Sequence, residues 1–255
     1  MKNILILGAG LSSSSLIRYL LQNAEENKWH LRIVDQDKEV IEKKINGSSH
    51  AEALVFNALK SEERRPEMEW ADLVISMLPA RYHVDVAEDC IELRKNLITP
   101  SYVSPQMKEL HQKAEDAGIV IMNEIGVDPG IDHMSAMRVI DKIRGEGGKM
   151  HIFESFTGGL VAPESDDNPW NYKFTWNPRN VVLAGQGGAA QFIQEGMYKY
   201  IPYTKLFRRT EIINIEGYGL FEGYANRNSL MYRALYGLDD IPTIYRGTLR
   251  RKGFS

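Results

Sequence analysis

A series of short apolar segments in the first half of the chain constrains its fold more than any other feature. The predicted strands are residues 4–7, 31–34, 53–56, 73–77, 97–99 and 119–122. The stretches between them carry apolar residues at helical spacing, most clearly in residues 40–44, 84–93 and 106–117. Short apolar strands that alternate with helices are typical of a parallel sheet covered on both faces. We therefore predict an α/β fold with a doubly wound parallel sheet in residues 1–125.

The first predicted strand ends at a glycine turn that is typical of dinucleotide binding. Gly8 permits a tight turn and Gly10 lets the backbone approach a pyrophosphate, which the following helix attracts with its free N–H groups. The third position of the G-x-G-x-x-G pattern is Ser13 rather than Gly or Ala. Asp35 closes the second strand, where a carboxylate accepts hydrogen bonds from ribose hydroxyls. The residues of this motif expected to bind the cofactor are Gly8, Gly10, Leu11, Ser12, Ser13 and Asp35.

The combination of a glycine turn, its first-strand position and Asp35 indicates a Rossmann domain. Because Asp35 favours free ribose hydroxyls and repels a 2′-phosphate, NAD is expected to be preferred and NADP is the alternative. Two other interpretations stay open. In one, the glycines merely turn the chain and Asp35 caps a loop. In the other, the domain is a methyltransferase, although Leu7 stands where that class usually carries an acidic residue.

The overall composition excludes several classes of protein. The chain has 255 residues, 43% of them hydrophobic, which is enough for one large domain or two ordinary ones. A net charge of −3 with mixed signs gives no reason to expect a nucleic-acid surface. We expect neither a membrane span nor a secretory signal. Cys90 has no partner for a disulfide, so a reducing compartment, the cytoplasm, is expected. The histidines show no metal spacing, so no metal is expected. Separately, the protein is expected to be a homodimer.

A polar turn at residues 123–133 stands out between an apolar run and a helical pattern. It follows the sixth predicted strand, and open α/β sheets bind ligands beyond the carboxyl ends of their strands. Within it, Asp128 and His133 are the candidate catalytic groups for proton transfer. Asp128 is equally suited to cap the next helix, and His133 to pack against its surroundings. Glu124 is expected either to bind the cofactor or substrate or to form a buried salt bridge.

The second half of the chain, residues 126–255, lacks the regular alternation of strands and helices and indicates a second domain of α+β type. Its strand-like segments are separated by long irregular stretches that are rich in Gly, Pro, Asn and aromatic residues. The predicted strands are residues 150–156, 181–184, 211–216 and 243–246.

Four blocks of the sequence, residues 101–105, 123–133, 163–176 and 246–254, carry a resemblance that covers essentially the whole chain. In this order they resemble saccharopine reductase, the glutamate-forming saccharopine dehydrogenase. The resemblance implies a Rossmann domain, a mixed-sheet domain and an NAD(P)-dependent dehydrogenase acting on CH–NH bonds. In that family, glutamate and 2-aminoadipate 6-semialdehyde join as an imine, which NADPH reduces to saccharopine. The family thus points to NADP, whereas Asp35 favours NAD.

The resemblance also implies roles for residues at matching positions. Those expected to hold the amino-acid substrate are Ser101, Tyr102, Asp128, Arg227, Thr248, Leu249 and Arg250. Those expected near the nicotinamide half of the cofactor are Pro79, Asp128, Pro129 and Gly130. Around Arg227 the family usually has Pro and Asp where this chain has Ala225 and Asn228, which leaves the identity of the substrate open.

The chemistry of saccharopine independently favours arginine anchors. Saccharopine carries three carboxylates, and a guanidinium fork binds a carboxylate bidentately where lysine offers only a point charge. Arg227 and Arg250 are therefore the expected anchors, with solvated surface arginines as the alternative. Two other functions stay open. One is reduction of the imine of a polyamine precursor such as carboxynorspermidine, and the other is nucleotide binding without catalysis.

Three further expectations concern structure. Cys90 is expected to be a small core residue in a helix. Residues 62–65, a charge run of balanced sign before Pro66, are expected to form a solvated loop. The resemblance is at full strength where the sequence ends, so the second domain is expected to be incomplete at its C-terminus, with coenzyme binding but little turnover.

Overall fold

The computed structural model describes residues 1–175, 178–183 and 188–254, and the chain divides into two compact units. The first unit runs from Met1 to Ile131 and the second begins at Asp132. A parallel sheet forms the first unit and a mostly antiparallel sheet the second, which confirms the predicted fold class. Among the described residues, no helix is long and apolar enough to cross a membrane.

The first unit contains a six-stranded sheet in the order β3-β2-β1-β4-β5-β6. The strands are β1 Lys2–Leu7, β2 Trp29–Asp35, β3 Ala51–Val55, β4 Leu73–Ser76, β5 Asn96–Ile98 and β6 Ile121–Met122. All neighbouring pairs are parallel. The six predicted strands are confirmed, with ends shifted by at most two residues. The strand order reverses between β1 and β4, which is where such sheets open a crevice for a ligand.

Helices cover this sheet because its strands are apolar on both faces. They are α1 Ser14–Gln22, α2 Ala24–Asn27, α3 Lys38–Ile45, α4 Ser61–Trp70, α5 His83–Leu93, α6 Pro105–Glu109 and α7 His111–Ala117. In β1, Leu5 and Leu7 join one core cluster while Ile4 and Ile6 join another, as strand alternation requires. Each such buried side chain contributes about 2 kcal/mol. Cys90 is fully buried, as predicted, and burial raises the pKa of its thiol to about 12.

The prediction of a solvated loop at residues 62–65 is wrong, because they form part of α4. Arg64 is only 3% exposed, and its Nε donates to Asp89 on α5 at 2.7 Å. Further N–H groups of its guanidinium donate to the carbonyls of Leu59 and Asp85. This buried anchor holds the helix in place despite Pro66, so tertiary contacts override the local helix-breaking signal.

The second unit contains a mixed sheet in the order β10-β11-β12-β8-β9, with β7 paired parallel to β12. The strands are β7 Ile152–Thr157, β8 Ala190–Gln194, β9 Met197–Ile201, β10 Glu211–Ile215, β11 Gly219–Ala225 and β12 Thr243–Arg250. The helices are α8 Ile131–Gly145, α9 Pro178–Leu183 and α10 Tyr232–Tyr236. The predicted strand at residues 181–184 is wrong: residues 181–183 belong to α9, and Ala184 lies outside the described residues.

The central strand β12 carries functional candidates on one face. Alternation places Ile244, Arg246, Thr248 and Arg250 together on that face. At Gly247, between them, an added Cβ would lie 2.3 Å from the ring of Phe156, so a side chain there is excluded. The glycine therefore leaves room for the ring of Phe156 on the other face of β12.

Candidate active site

The glycine turn after β1 has the geometry of a dinucleotide cradle. Gly8 has φ +102°, and an added Cβ would lie 3.1 Å from the carbonyl oxygen of Met77. At Gly10, by contrast, an added Cβ would meet nothing within 4 Å, so the space above the backbone is open. A 3-10 turn, Leu11–Ser13, leads directly into α1, whose amino end faces this space. These residues fit a cofactor pyrophosphate.

Asp35 ties the glycine turn to the end of β2. Its Oδ2 accepts a hydrogen bond from the N–H of Ala9 at 2.8 Å, and its Oδ1 accepts from Gln36 at 2.8 Å and from Asp37 at 3.3 Å. The structural role that sequence analysis kept open is therefore present. A carboxylate has about four lone-pair sites, so capacity for ribose hydroxyls remains.

Lys44, which sequence analysis did not select, also reaches the glycine turn. Its Nζ donates to the carbonyl of Gly10 at 2.5 Å and to Ser13 Oγ at 3.0 Å. Partial burial lowers the pKa of Lys44, and the charge of Asp35 opposes that shift. The cradle thus contains a cation on α3 as well as an anion on β2. No local motif marks Lys44, because it lies far from the turn in the sequence.

A second group of candidates lies at the carboxyl ends of β4 and β5. Pro79 precedes the 3-10 turn Ala80–Tyr82. Ser101 Oγ lies 2.8 Å from His83 Nε2, and His83 Nδ1 lies 2.9 Å from Ser76 Oγ. His83 is 2% exposed. Sequence analysis considered the histidines only as metal ligands and predicted no metal site. Among the residues described here, no group of His, Cys, Asp and Glu could hold a metal ion.

The polar turn at residues 123–133 brings Asp128 to Tyr102. Asp128 Oδ1 accepts a hydrogen bond from the Tyr102 hydroxyl at 2.5 Å. The turn is closed by Gly130, with φ +146°, where an added Cβ would lie 2.1 Å from the carbonyl oxygen of Gly126. Glu124 Oε1 accepts from the backbone N–H of Val103 at 3.0 Å, a partner that sequence analysis did not foresee. Ser101, Tyr102, Asp128, Pro129 and Gly130 therefore lie in one unit, on consecutive strand ends.

In the second unit, a cavity of about 490 Å³ brings together Arg227, Thr248 and Arg250. Aromatic side chains form most of its remaining wall: Trp170, Tyr172, Phe174, Tyr203, Phe207, Tyr224 and Phe254. Burial raises the pKa of Tyr224, so its phenol remains a hydrogen-bond donor at neutral pH. Leu249 does not line the cavity. Its side chain is buried on the opposite face of β12, and its role in substrate binding stays a prediction.

The two arginines of this cavity are held in different ways. The guanidinium of Arg250 lies 4.8 Å from the ring centre of Phe254 and 5.3 Å from that of Tyr172. Its Nη1 donates to the carbonyl of Leu249 at 2.9 Å, while its buried Nε has no hydrogen-bond partner within the described residues. Arg227 has φ +38°, and its carbonyl accepts from the N–H of Gln191 at 2.7 Å. Arg250 is thus not a solvated surface arginine, whereas Arg227 is exposed at the cavity wall.

His133 belongs to a network in the second unit. Its Nδ1 lies 2.5 Å from the hydroxyl of Tyr236, and its ring stacks on Tyr232 with 5.2 Å between centres. Asp132, beside it, accepts a hydrogen bond from Arg246 at 2.7 Å. The side chain of His133 is 18% exposed. The packing role kept open by sequence analysis is therefore present, and a catalytic role stays a prediction.

Comparison with protein families matches both parts of the chain. Residues 4–122 match the saccharopine dehydrogenase NADP binding domain, and residues 126–255 match the saccharopine dehydrogenase C-terminal domain.

Similar proteins come from several organisms. Saccharopine dehydrogenase [NADP(+), L-glutamate-forming] of Pyricularia oryzae is 37% identical over 99% of this chain, which spans 55% of that protein. Alpha-aminoadipic semialdehyde synthase of Arabidopsis thaliana is also 37% identical over 99% of the chain, which spans 26% of that protein. The solved structure of apo histidine-tagged saccharopine dehydrogenase (L-Glu forming) from Saccharomyces cerevisiae has a TM-score of 0.90 at 33% identity, covering 100% of this chain and 56% of that one. The chain therefore spans about half the length of two of these relatives and belongs to the saccharopine dehydrogenase family.

Proposed function

We propose that the protein is an NAD(P)-dependent oxidoreductase that interconverts saccharopine and the imine of glutamate with 2-aminoadipate 6-semialdehyde. The observation that carries this proposal is the cavity of the second unit, where two arginines line a wall that is otherwise largely aromatic. A tricarboxylate needs fixed cationic donors, and guanidinium groups supply them in pairs. The relatives named for this reaction support the same assignment.

The coenzyme is proposed to bind at the glycine turn of the first unit. Gly8 and Gly10 receive its pyrophosphate, and Asp35 receives the adenosine ribose. When bound, the nicotinamide supplies or accepts the hydride. We propose that NAD(H) is preferred, because Asp35 opposes a 2′-phosphate and Lys38, the first cation after it, is paired with Glu42 at 3.2 Å. The names of the relatives point instead to NADP(+). A comparison of kcat/KM with NADH and with NADPH decides between the two coenzymes.

The substrate is proposed to be held by its carboxylates. Arg250 offers an Nε–H without an acceptor among the described residues, and the rings of Tyr172 and Phe254 restrict the orientation of its guanidinium. Thr248 and the Tyr224 phenol add neutral donors on the same face of the sheet. Arg227 supplies a second fork at the wall. In the first unit, Ser101 and Tyr102 are proposed to contribute hydroxyl groups to substrate binding.

Asp128 is the proposed proton-transfer group. Its carboxylate is oriented by the Tyr102 hydroxyl and retains lone pairs that can accept a proton from an amine or water. Asp128→Asn should lower kcat about 100-fold while coenzyme affinity is retained. His133→Asn is the comparison, because His133 is held by Tyr236 and Tyr232. If His133→Asn alone abolishes turnover, the assignment moves from Asp128 to His133.

The reaction itself is tested by supplying saccharopine with NAD+ or NADP+ and following the absorbance of the reduced nicotinamide. The expected products are glutamate and 2-aminoadipate 6-semialdehyde in equal amounts, identified by mass spectrometry. Glutamate alone and lysine alone are controls and should give no signal. Coenzyme binding without oxidation of any amine would favour a non-catalytic nucleotide-binding protein instead.

A second candidate is a related reductase for the imine of a carboxylated polyamine. The aromatic wall of the cavity favours it, because aromatic faces attract ammonium groups. Two arginines, however, repel a polycation and suit several carboxylates. Faster oxidation of carboxynorspermidine than of saccharopine would select this candidate. The proposed homodimer is measured separately by light scattering of the purified protein.

A further inference from the structure

Three side chains in the first unit form a buried hydrogen-bonded chain that neither the proposed coenzyme site nor Asp128 uses. Ser76 at the end of β4 is fully buried, and its Oγ lies 2.9 Å from Nδ1 of His83 at the start of α5. The other ring nitrogen of His83, Nε2, lies 2.8 Å from Oγ of Ser101, which follows β5. The chain therefore leads from the core to one of the proposed substrate-binding residues.

The imidazole in the middle of this chain is neutral at physiological pH. Burial lowers the pKa of His83 to about 4, and the residue is only 2% exposed. A neutral imidazole has one N–H donor and one acceptor nitrogen, so it imposes a direction on the chain. In the outward direction, Ser76 donates to Nδ1 and Nε2–H donates to Ser101. In the inward direction, Ser101 donates to Nε2 and Nδ1–H donates to Ser76.

The surroundings of Ser76 select the outward direction. Within the described part of the chain, His83 Nδ1 is the only hydrogen-bond partner of Ser76 Oγ. In the inward direction the Ser76 proton would be buried without an acceptor, which is unfavourable. In the outward direction every proton of the chain except that of Ser101 has an acceptor. The hydroxyl proton of Ser101 is then left to point away from His83.

We infer that His83 is a positioning residue that presents the Ser101 hydroxyl as a hydrogen-bond donor to a carboxylate of the substrate. The identity of this ligand rests on the proposed function, whereas the direction of the chain does not. A carboxylate accepts hydrogen bonds and donates none, so only the outward direction is complementary to it. The backbone of Ser101 is also fixed, because its carbonyl accepts from Glu124 and its N–H donates to Thr99.

The direction of the chain is tested without any substrate. Nitrogen-15 NMR of the imidazoles in the intact protein identifies which ring nitrogen of His83 carries the proton. The expected result is a proton on Nε2 and none on Nδ1. A proton on Nδ1 would overturn the inference. Ser76→Ala removes the donor to Nδ1 and should produce a mixture of the two tautomers, while a Ser76→Thr variant, which keeps the hydroxyl, should retain the Nε2–H form.

The consequence for binding is tested with two variants of His83. In His83→Gln the side-chain amide reaches the position of Nε2 and can still donate to Ser101. In His83→Asn it reaches only the position of Nδ1, so the contact with Ser101 is lost. We expect both His83→Asn and Ser101→Ala to raise the KM for saccharopine about tenfold, with kcat and coenzyme affinity little changed. His83→Gln should raise KM less than about threefold.

The pattern of these results separates the inference from the proposed function. The positioning role would be overturned if KM rose equally in both His83 variants. It would also be overturned if KM rose in Ser101→Ala but in neither His83 variant. If the wild-type protein does not oxidise saccharopine at all, the proposed function fails, and the tautomer measurement alone still decides the direction of the chain. Circular dichroism confirms that each variant is folded, and a misfolded variant returns the decision to the wild-type NMR result.

Discussion

The two units hold their functional side chains by different means. In the first unit, backbone N–H groups fix the carboxylates: Asp35 accepts from three of them and Glu124 from one. In the second unit, aromatic rings fix the guanidinium groups: Arg246 lies 4.1 Å from the ring centre of Tyr232, and Arg250 lies 4.8 Å from that of Phe254. Backbone contacts restrict position more tightly than ring faces do, because a hydrogen bond has a preferred angle.

This difference predicts where substitutions affect stability and where they affect only ligand binding. Carboxylates that accept from the backbone are part of the turns that they stabilise, so their loss changes coenzyme affinity and folding together. Guanidinium groups on ring faces are supported mainly by side chains, although Nη1 of Arg250 also donates to the carbonyl of Leu249. Their replacement is therefore expected to change substrate affinity with a smaller effect on the fold.

The largest effect is expected at the turn that carries Asp128. Gly130 has φ +146°, and Gly130→Ala would place a Cβ 2.1 Å from the carbonyl oxygen of Gly126. Because that oxygen belongs to the backbone, it cannot move aside as the end of a flexible side chain could. We expect a loss of about 3 to 4 kcal/mol in the free energy of unfolding, measured with urea. Gly10→Ala is the matched control, because an added Cβ there meets nothing within 4 Å. It should change stability by less than about 1 kcal/mol. Equal losses in the two variants would mean that the turn is not held by backbone contact.

The second effect concerns acid stability of the first unit. The folded pKa of His83 is about 4 against an ordinary value of 6.5, so the unfolded chain binds more protons between these values. Stability should therefore fall as the pH decreases from about 6.5 to about 4 and level off below, by about 3 kcal/mol in total. Urea unfolding across this range should show this slope in the wild type but not in His83→Gln. Parallel profiles for the two proteins would show that His83 is not the group responsible.

Sequence analysis predicted the first sheet well because its strands are buried on both faces and each carries its own apolar signal. It missed α4, because the contact that stabilises that helix joins Arg64 to Asp89 on another element. In the second unit, residues 181–183 are too short an apolar run to distinguish helix from strand. Strand β11 was missed because Gly223 weakens its pattern. The structure shows the reason for that glycine: an added Cβ would lie 2.9 Å from the ring of Phe156.

The same contrast applies to the candidate site. The glycine turn and Asp35 are close to strand ends that the sequence marks, so local motifs reveal them. Lys44 and His83 reach their partners from separate helices, and no spacing in the sequence connects Lys44 with Gly10 or His83 with Ser101. Side chains that act through the packing of two elements become visible only when the elements are placed.

The third effect concerns substrate binding in the cavity of the second unit. Arg227→Ala should weaken saccharopine binding about 10- to 100-fold, because a charged fork to a carboxylate is lost, while coenzyme affinity and unfolding change little. Arg227→Lys keeps the charge but not the fork and should recover only part of the loss. Arg208→Ala, which removes an exposed arginine outside the cavity wall, is the control. Calorimetry with saccharopine would contradict the prediction if Arg208→Ala and Arg227→Ala had the same effect.

The smallest effect concerns the choice of coenzyme and sharpens the role of backbone-held carboxylates. If the charge of Asp35 opposes a 2′-phosphate, wild-type kcat/KM should be higher with NADH than with NADPH, and Asp35→Asn should shift that ratio about tenfold towards NADPH. The amide oxygen can still accept from Ala9, so the turn should persist, although one backbone acceptor is lost. Asp37→Asn is the control, since Asp37 carries the same charge two residues further on and caps α3 through the N–H groups of Glu39 and Val40. An equal shift in both variants would indicate a general field of the loop rather than a contact at the end of β2. A wild-type preference for NADPH would contradict the prediction, and Lys44, whose Nζ lies 3.0 Å from Ser13 Oγ, would then be the next residue to replace.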